Sequence, residues 1–279
     1  MLSLSGFTDE IDPDLDQQIR VAQQCGLSAI EFRSVDNTNI LALSHAQQAE
    51  AKQKLDDAGL AVVSIGSPCG KRPIDTAEHE LLDQFQKAID RAVFFEAPLI
   101  RVFSFYPVGG ERAGPIEPVR DRAIELLAKQ AEMLEATDIT MVHENEKGIY
   151  GDIGRRCLEL MEGVDSPKLQ SAFDFANFVQ CGEKPRENWI GLEPYTIHIH
   201  VKDAKMGSGE VVAAGEGDGD IAAILKDAYD TGYRGYVSME PHLKVAGHSH
   251  GESGPDKFIY AVEKLRELCA SIDVPLEGA

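Results

Sequence analysis

The stretch Ile197-His198-Ile199-His200-Val201-Lys202-Asp203 alternates β-branched and polar residues, which is the period of a strand. His198, His200 and Lys202 therefore share one face. A strand half-buried against an ordinary core would turn Ile and Val inward and leave its histidines in water. Three other strand-like runs argue for the reverse orientation, because each ends on a carboxylate at the matching position: Met141-Val142-His143-Glu144, Ser171-Ala172-Phe173-Asp174 and Val237-Ser238-Met239-Glu240. Strand ends carrying Glu, Asp, His and Glu form a divalent-metal site if they converge.

Whether they converge is a question of fold. Residues 2–7 read as a first strand, with Thr8-Asp9-Glu10 in the loop after it. Asp12 and Pro13 predict an N-cap and first helical residue, and Leu15, Ile19, Ala22 and Cys25 follow at helical spacing before Gly26. The unit then repeats. Strands are expected over 28–33, 60–66, 99–105, 139–144, 169–174, 196–202 and 235–240. Helices are expected over 44–58, 77–95, 116–136, 151–163, a weaker 187–192, a stripe of Ile221, Ile224, Leu225 and Ala228, and 256–272. No linker, low-complexity tract or composition break separates these units. Eight βα units with right-handed crossovers predict one α/β domain over residues 1–279, a single (β/α)8 TIM barrel with its site at the C-terminal strand ends. An open doubly wound sheet would need a glycine-rich phosphate turn after the first strand, where Gly6-Phe7-Thr8-Asp9-Glu10 instead offers acids. Gly66-Ser67-Pro68-Cys69-Gly70-Lys71 lacks P-loop spacing, and Gly215-Glu216-Gly217-Asp218-Gly219 is too acidic to cradle phosphate; both read as turns.

Composition narrows the partners. With 47 acidic against 27 basic residues in 279, the formal charge is −20, a field that repels nucleic acid and anionic lipid. Five scattered cysteines without a Cys-x-x-Cys pair fit reduced thiols. The chain starts without a basic stretch leading into an apolar one, and no run is long enough to span a bilayer. The expectation is a cytoplasmic protein with a small-molecule partner, no nucleic acid and no membrane, a homo-oligomer being left open.

In a closed barrel, strands five to eight are neighbours, so Glu144, Asp174, His200 and Glu240 ring one half of the mouth. Three carboxylates and an imidazole suit one divalent ion, Mn²⁺, Mg²⁺, Co²⁺ or Zn²⁺. His143-Glu144-Asn145-Glu146, Phe173-Asp174-Phe175-Ala176-Asn177-Phe178, His198 to Asp203 and Ser238-Met239-Glu240 resemble the corresponding motifs of the xylose isomerase-like TIM-barrel superfamily of sugar isomerases and epimerases. That superfamily includes ketose 3-epimerases, inosose dehydratases and endonuclease IV. The resemblance runs nearly end to end. It implies that Glu144, Asp174, His200 and Glu240 are the metal ligands and that Glu144 and Glu240 are also the acid/base pair. Where the 3-epimerases carry a histidine three residues after the aspartate, this chain has Asn177. Endonuclease IV-like members carry more histidine ligands and a basic DNA face, which the charge of −20 opposes.

The implied chemistry is proton abstraction beside a carbonyl through a metal-stabilised enediolate, on a ketose or keto-sugar derivative. Dehydration of an inosose-like substrate is the alternative within chemistry, and a non-catalytic sugar-binding barrel the alternative outside it. Lys202 is expected to orient a substrate hydroxyl or share the developing charge, with Asp203 positioning it. If Glu31 faces inward so does Arg33, and the pair would bind sugar hydroxyls. Ser67 and Lys71 are placed along the substrate channel, and Glu146 is a rival to Glu144 as ligand. His242, His248 and His250 crowd the last loop, against substrate or solvent. Phe7 and Trp189 are candidate pocket walls.

Overall fold

The structure, a computed structural model, describes residues 1–111, 113–246 and 251–277; His248 and His250 lie outside them. Eight parallel strands form the sheet: β1 (Ser3–Gly6), β2 (Ala29–Phe32), β3 (Ala61–Ile65), β4 (Leu99–Val102), β5 (Thr140–Glu144), β6 (Leu169–Asp174), β7 (Thr196–Val201) and β8 (Tyr236–Met239). Their order is β1-β8-β7-β6-β5-β4-β3-β2, so strands adjacent in sequence are adjacent in space. The seam between β1 and β2 is closed more loosely, by Ser28 N–H donating to Leu4 O at 3.3 Å and a parallel bridge between Phe7 and Glu31. The result is a nearly closed (β/α)8 barrel, and its β5 to β8 strands are the neighbours that the ligand argument required.

Helices cover the outside: α1 (Leu15–Gln24), α2 (His45–Ala58), α3 (Glu78–Phe95), α4 (Arg120–Leu134), α5 (Gly154–Val164), α6 (Phe175–Gln180), α7 (Pro185–Leu192), α8 (Ile221–Thr231) and α9 (Pro255–Ser271). α2 starts on a full capping box, Ser44 with Gln47, and stops at Gly59 in the left-handed region (φ 69°). Some boundaries move. The N-cap of α1 is Asp14, whose side chain accepts from Gln17 N–H, rather than Asp12; Asp12 instead accepts from Asp14 N–H, forming the turn before the helix. The helix expected over 116–136 is a 3-10 turn, Glu117–Val119, followed by α4. α6 was not expected: it starts directly from β6, with Asp174 accepting from Asn177 N–H at 2.7 Å as its N-cap.

Alternation sorts the inner surface into layers. Ala29, Val63, Leu99, Val142 and Ala172, with Tyr236 packed on them, form an apolar cluster separate from the main core. Ala29, Leu99, Val142 and Ala172 stand two residues before Glu31, Arg101, Glu144 and Asp174, on the same strand face. They make the apolar floor beneath a polar layer. The alternate residues, such as Ile30, Ile100, Met141, Phe173 and Ile199, join the larger core with Phe85, Leu126, Leu160, Ile224 and Leu265 of the helices.

Candidate functional site

Glu144, Asp174 and His200 lie on β5, β6 and β7, and Glu240 directly follows β8. One donor atom from each of the four lies within 4.8 Å of all the others. All four side chains are buried, between 0 and 3% exposed, which water alone does not compensate. Permanent cations are interleaved. Lys202 Nζ lies 3.0 Å from Asp174 Oδ2 and 2.8 Å from Glu240 Oε2. Arg101 reaches Glu144 at 3.1 Å and Glu240 at 3.7 Å, and Arg33 bridges Asp9 at 2.8 Å and Glu240 at 3.3 Å. Phe7 lies between the two guanidiniums, each 4.7 Å from its ring, and meets His200 edge-on.

Opposing charge sets the proton affinities. Burial lowers the imidazole of His200, but Glu31 and Glu144 outweigh it and hold the ring well above its ordinary value. Burial raises Asp174 to about 6, only partly offset by Lys202. Burial also raises Glu144 and Glu240, yet each ends lowered: Glu144 by His200 and Arg101 against the charge of Glu240, and Glu240 well below the usual carboxylate range by Lys202 and His242.

The set fits a divalent ion. Both ring nitrogens of His200, and Asp174 Oδ2 apart from its ion pair with Lys202, have no hydrogen-bond partner, and three carboxylates with one imidazole match a hard or borderline cation. Within the connected network Asp9, Glu10, Glu31, Glu144, Asp174 and Glu240 face, among the described residues, Arg33, Arg101 and Lys202 as permanent cations. Such a buried excess of anions calls for further positive charge, from imidazolium or from a metal.

Other expected residues take other tasks. Glu31 does not pair with Arg33; it is hydrogen-bonded to His198 at 2.7 Å and lies 3.0 Å from His200 Nε2. Asp203 does not position Lys202. Its carboxylate accepts the backbone N–H of Ala204, Gly215, Gly217 and Gly219, folding the following loop around itself; a Cβ on Gly217 would stand 2.4 Å from Asp203 Oδ1. Ser67 donates to Arg101 O and accepts from Cys69 N–H, so it builds a turn. Glu146 lies outside the four-atom cluster, held by Lys71 at 3.0 Å and Lys147 at 3.2 Å. Asn177 donates to Glu144 Oε1 at 3.3 Å and accepts from Lys147. Trp189 is not a pocket wall: its indole donates to Asp227 and its ring packs on Phe173.

Sequence reading missed Arg101. Its signal was a charge within Leu99-Ile100-Arg101-Val102, on the inward alternation. It also missed the partnership of Glu10 with His242, which lie 3.2 Å apart, with His242 3.5 Å from Glu240. His242 has a left-handed backbone (φ 48°), and a Cβ on Gly251 would stand 1.7 Å from its ring.

A cleft of about 660 Å³ lies between the loops after β1, β2 and β8, lined by Asp9, Glu10, Arg33, Ser34, Asn37 and Asn39 among others. The four clustered residues are not in its wall; Arg33 belongs to both and stands between cleft and Glu240. No helix of the described residues is long and apolar enough to cross a membrane.

Comparison with known proteins gives the same architecture. An uncharacterized protein of Methanocaldococcus jannaschii, MJ1311, is 26% identical over 134 residues, 45% of this chain and 44% of that protein. The chain thus matches less than half the length of that relative. Among solved structures, a D-tagatose 3-epimerase-like protein superposes with TM-score 0.76 at 17% identity, covering 98% of each chain. The probable 3-DHS dehydratase AsbF of Bacillus anthracis gives 0.74 at 17%, covering 95% of this chain and 99% of that one. A Mycobacterium smegmatis barrel in complex with magnesium gives 0.72 at 18%, covering 97% of each. At these identities the likeness establishes the fold. The family profile described as xylose isomerase-like TIM barrel matches residues 19–268, and the chain belongs to that family.

Proposed function

We propose that this protein is a divalent-metal-dependent isomerase or epimerase of a ketose or keto-sugar derivative. The observation that carries the reading is the buried convergence of Glu144, Asp174, His200 and Glu240 at neighbouring strand ends, where barrels of this class hold their chemistry. A bound cation supplies polarisation of a carbonyl and compensation for the negative charge of an enediolate. The protein's own residues do the rest. Glu144 and Glu240 stand on strand ends separated by β6 and β7, and each can take or return a proton beside the carbonyl. Asn177 holds Glu144, and Lys202 holds both Asp174 and Glu240. The substrate enters from the cleft past Arg33, whose Nη2 has no partner and is available to an oxygen of the sugar.

Dehydration of an inosose-like substrate is the second reading. It is favoured by Lys202, an ammonium beside Glu240 that could protonate a departing hydroxyl. Although burial lowers Lys202, Asp174 and Glu240 hold it well above its ordinary value. It therefore surrenders a proton reluctantly, and isomerisation remains the better reading. A non-catalytic sugar-binding barrel is the remaining alternative.

Incubation with Mn²⁺ and a panel of ketoses and keto-inositols in D₂O separates these readings. Epimerisation or isomerisation incorporates deuterium without other mass change, whereas dehydration loses water. Binding without exchange on any member would favour the non-catalytic barrel and remove both enzymatic readings.

A further inference from the structure

Glu31, at 0% side-chain exposure, spans from β2 to β7, strands that do not pair. One of its oxygens, Oε1, lies 2.7 Å from His198 Nε2 and 3.0 Å from His200 Nε2. An ionised carboxylate only accepts, so the hydrogen bond from His198 needs a proton on its Nε2, and the His200 Nε2, at ion-pair distance from the same oxygen though not aligned for a hydrogen bond, is best matched to it by a proton as well. Neither ring nitrogen of His200 is aligned for a hydrogen bond; the opposite one, Nδ1, faces Glu144 Oε1 at 3.3 Å and Glu240 Oε2 at 4.0 Å. The ring is braced edge-on by Phe7 and by His198, each at 5.2 Å.

We propose that Glu31 is a positioning residue that fixes His200 as its Nε2–H form and thereby presents the Nδ1 lone pair to a divalent cation held with Glu144, Asp174 and Glu240. The proposal rests on the metal reading of the site. With a cation between Nδ1 and the carboxylates of Glu144 and Glu240, the reverse tautomer would set its proton against the cation and its lone pair against the Glu31 carboxylate, the worse arrangement in a buried site. His198 is the second arm of the device: its own Nε2–H on the same oxygen limits how Glu31 can swing. A carboxylate behind a ligating imidazole also raises its basicity as a ligand. A role confined to joining β2 to β7 would not depend on which nitrogen of His200 bears the proton.

The test uses the full chain labelled with ¹⁵N-histidine, with Zn²⁺ as diamagnetic probe for spectra and Mn²⁺ for affinity. The wild-type spectrum with Zn²⁺ should show His200 ligated through Nδ1 with a slowly exchanging proton on Nε2. Glu31→Leu should weaken Mn²⁺ binding by about 10- to 100-fold. Glu31→Gln, whose amide oxygen still accepts, should recover part of that loss. Ligation through Nε2, or Glu31→Leu folded with unchanged affinity, would overturn the proposal while leaving the metal site standing. No uptake of either ion by the wild type would instead overturn the metal reading, and the proposal with it. Should Glu31→Leu fail to fold, the wild-type spectrum decides.

Discussion

Adding a divalent cation to the metal-free protein should expel a proton from His200, and the pH window in which it does so tests the electrostatics of the site. Glu31 and Glu144 stand 3.0 and 3.3 Å from its two nitrogens. Burial alone would depress the imidazole, but these carboxylates hold it well above its ordinary value. Without a cation the ring thus keeps two protons at neutral pH, whereas a ligating imidazole keeps one. About one proton per ion should leave near pH 7.5, and affinity should climb about tenfold per pH unit between roughly pH 7 and 8. An imidazole at the ordinary value of about 6.5 would already be neutral there, and affinity would be nearly flat. Below about pH 6 a second proton should join, because Asp174, raised to about 6 by burial, must ionise to coordinate. Calorimetric titration with Mn²⁺ in buffers of different ionisation enthalpy reads the proton count directly. A count near zero at about pH 7.5, or one that rises with pH, would refute the placement of these charges.

The same two groups contribute to the pH dependence of stability without metal. Both bind protons more tightly folded than unfolded, so their stabilisation is full below the unfolded values and is lost as pH rises through the folded ones: between about pH 4 and 6 for Asp174, and above about 6.5 for His200. The melting temperature of metal-free protein should fall from about pH 5 to 8 more steeply than that of His200→Ala. Replacing Glu144 or Glu240 by Gln should lower metal affinity modestly and turnover by about 10² to 10⁴, the worth of a positioned acid or base; activity of either variant within a few-fold of wild type would remove that residue from proton transfer. His200→Ala should sharply reduce metal content by elemental analysis, whereas His198→Ala should chiefly lower the melting temperature, with any metal loss much the smaller; equal loss from both would mean the ligand is misassigned. Asp203→Ala strips the acceptor from four backbone N–H groups, each charge-assisted bond being worth about 1.5–3 kcal/mol. Proteolysis within residues 204–219 should accelerate, and unchanged protection would show that the loop holds itself.

Strand and helix periodicity made the barrel legible, because eight parallel strands buried on both faces leave little room for another reading. The converging strand ends were legible for the same reason: period two fixes the face, and neighbouring strands fix the height. What lay hidden were contacts across the barrel interior. Glu31 and His200 are 169 positions apart in the numbering on strands that do not pair, so no local pattern joins them. The pairing of Arg33 with Asp9 and Glu240 is likewise set by the seam where β1 meets β2. In sequence Asp203 reads as positioning Lys202 because a carboxylate after a strand of candidate ligands looks functional, while the partners that claim it are backbone groups of a loop. The glycines of Gly215-Glu216-Gly217-Asp218-Gly219 were the available clue: backbone must come close to something there, and that something is Asp203.

The two glutamates are not equivalent, and their difference bears on the reaction. Glu240 touches Lys202, Arg33, Arg101 and His242, and its carboxyl is held well below the usual range. Glu144 touches Arg101, His200 and Asn177. If His200 loses its extra proton on binding a cation, Glu144 keeps Arg101 as its cationic side-chain partner, while Glu240 keeps Lys202 and Arg33 as well as the more distant Arg101. On the proposed function Glu144 would therefore be the better proton acceptor, and Glu240 the more firmly ionised of the two. A two-base epimerase built this way should take protons from one epimer faster than from the other. Solvent deuterium should enter one substrate ahead of inversion, at the face served by Glu144. Lys202, bonded to both Asp174 and Glu240, sets that asymmetry: Lys202→Met removes the cation from the Glu240 side, and the initial exchange rates of the two epimers should then move toward each other. Exchange rates that move further apart would place the dominant base at Glu240 instead.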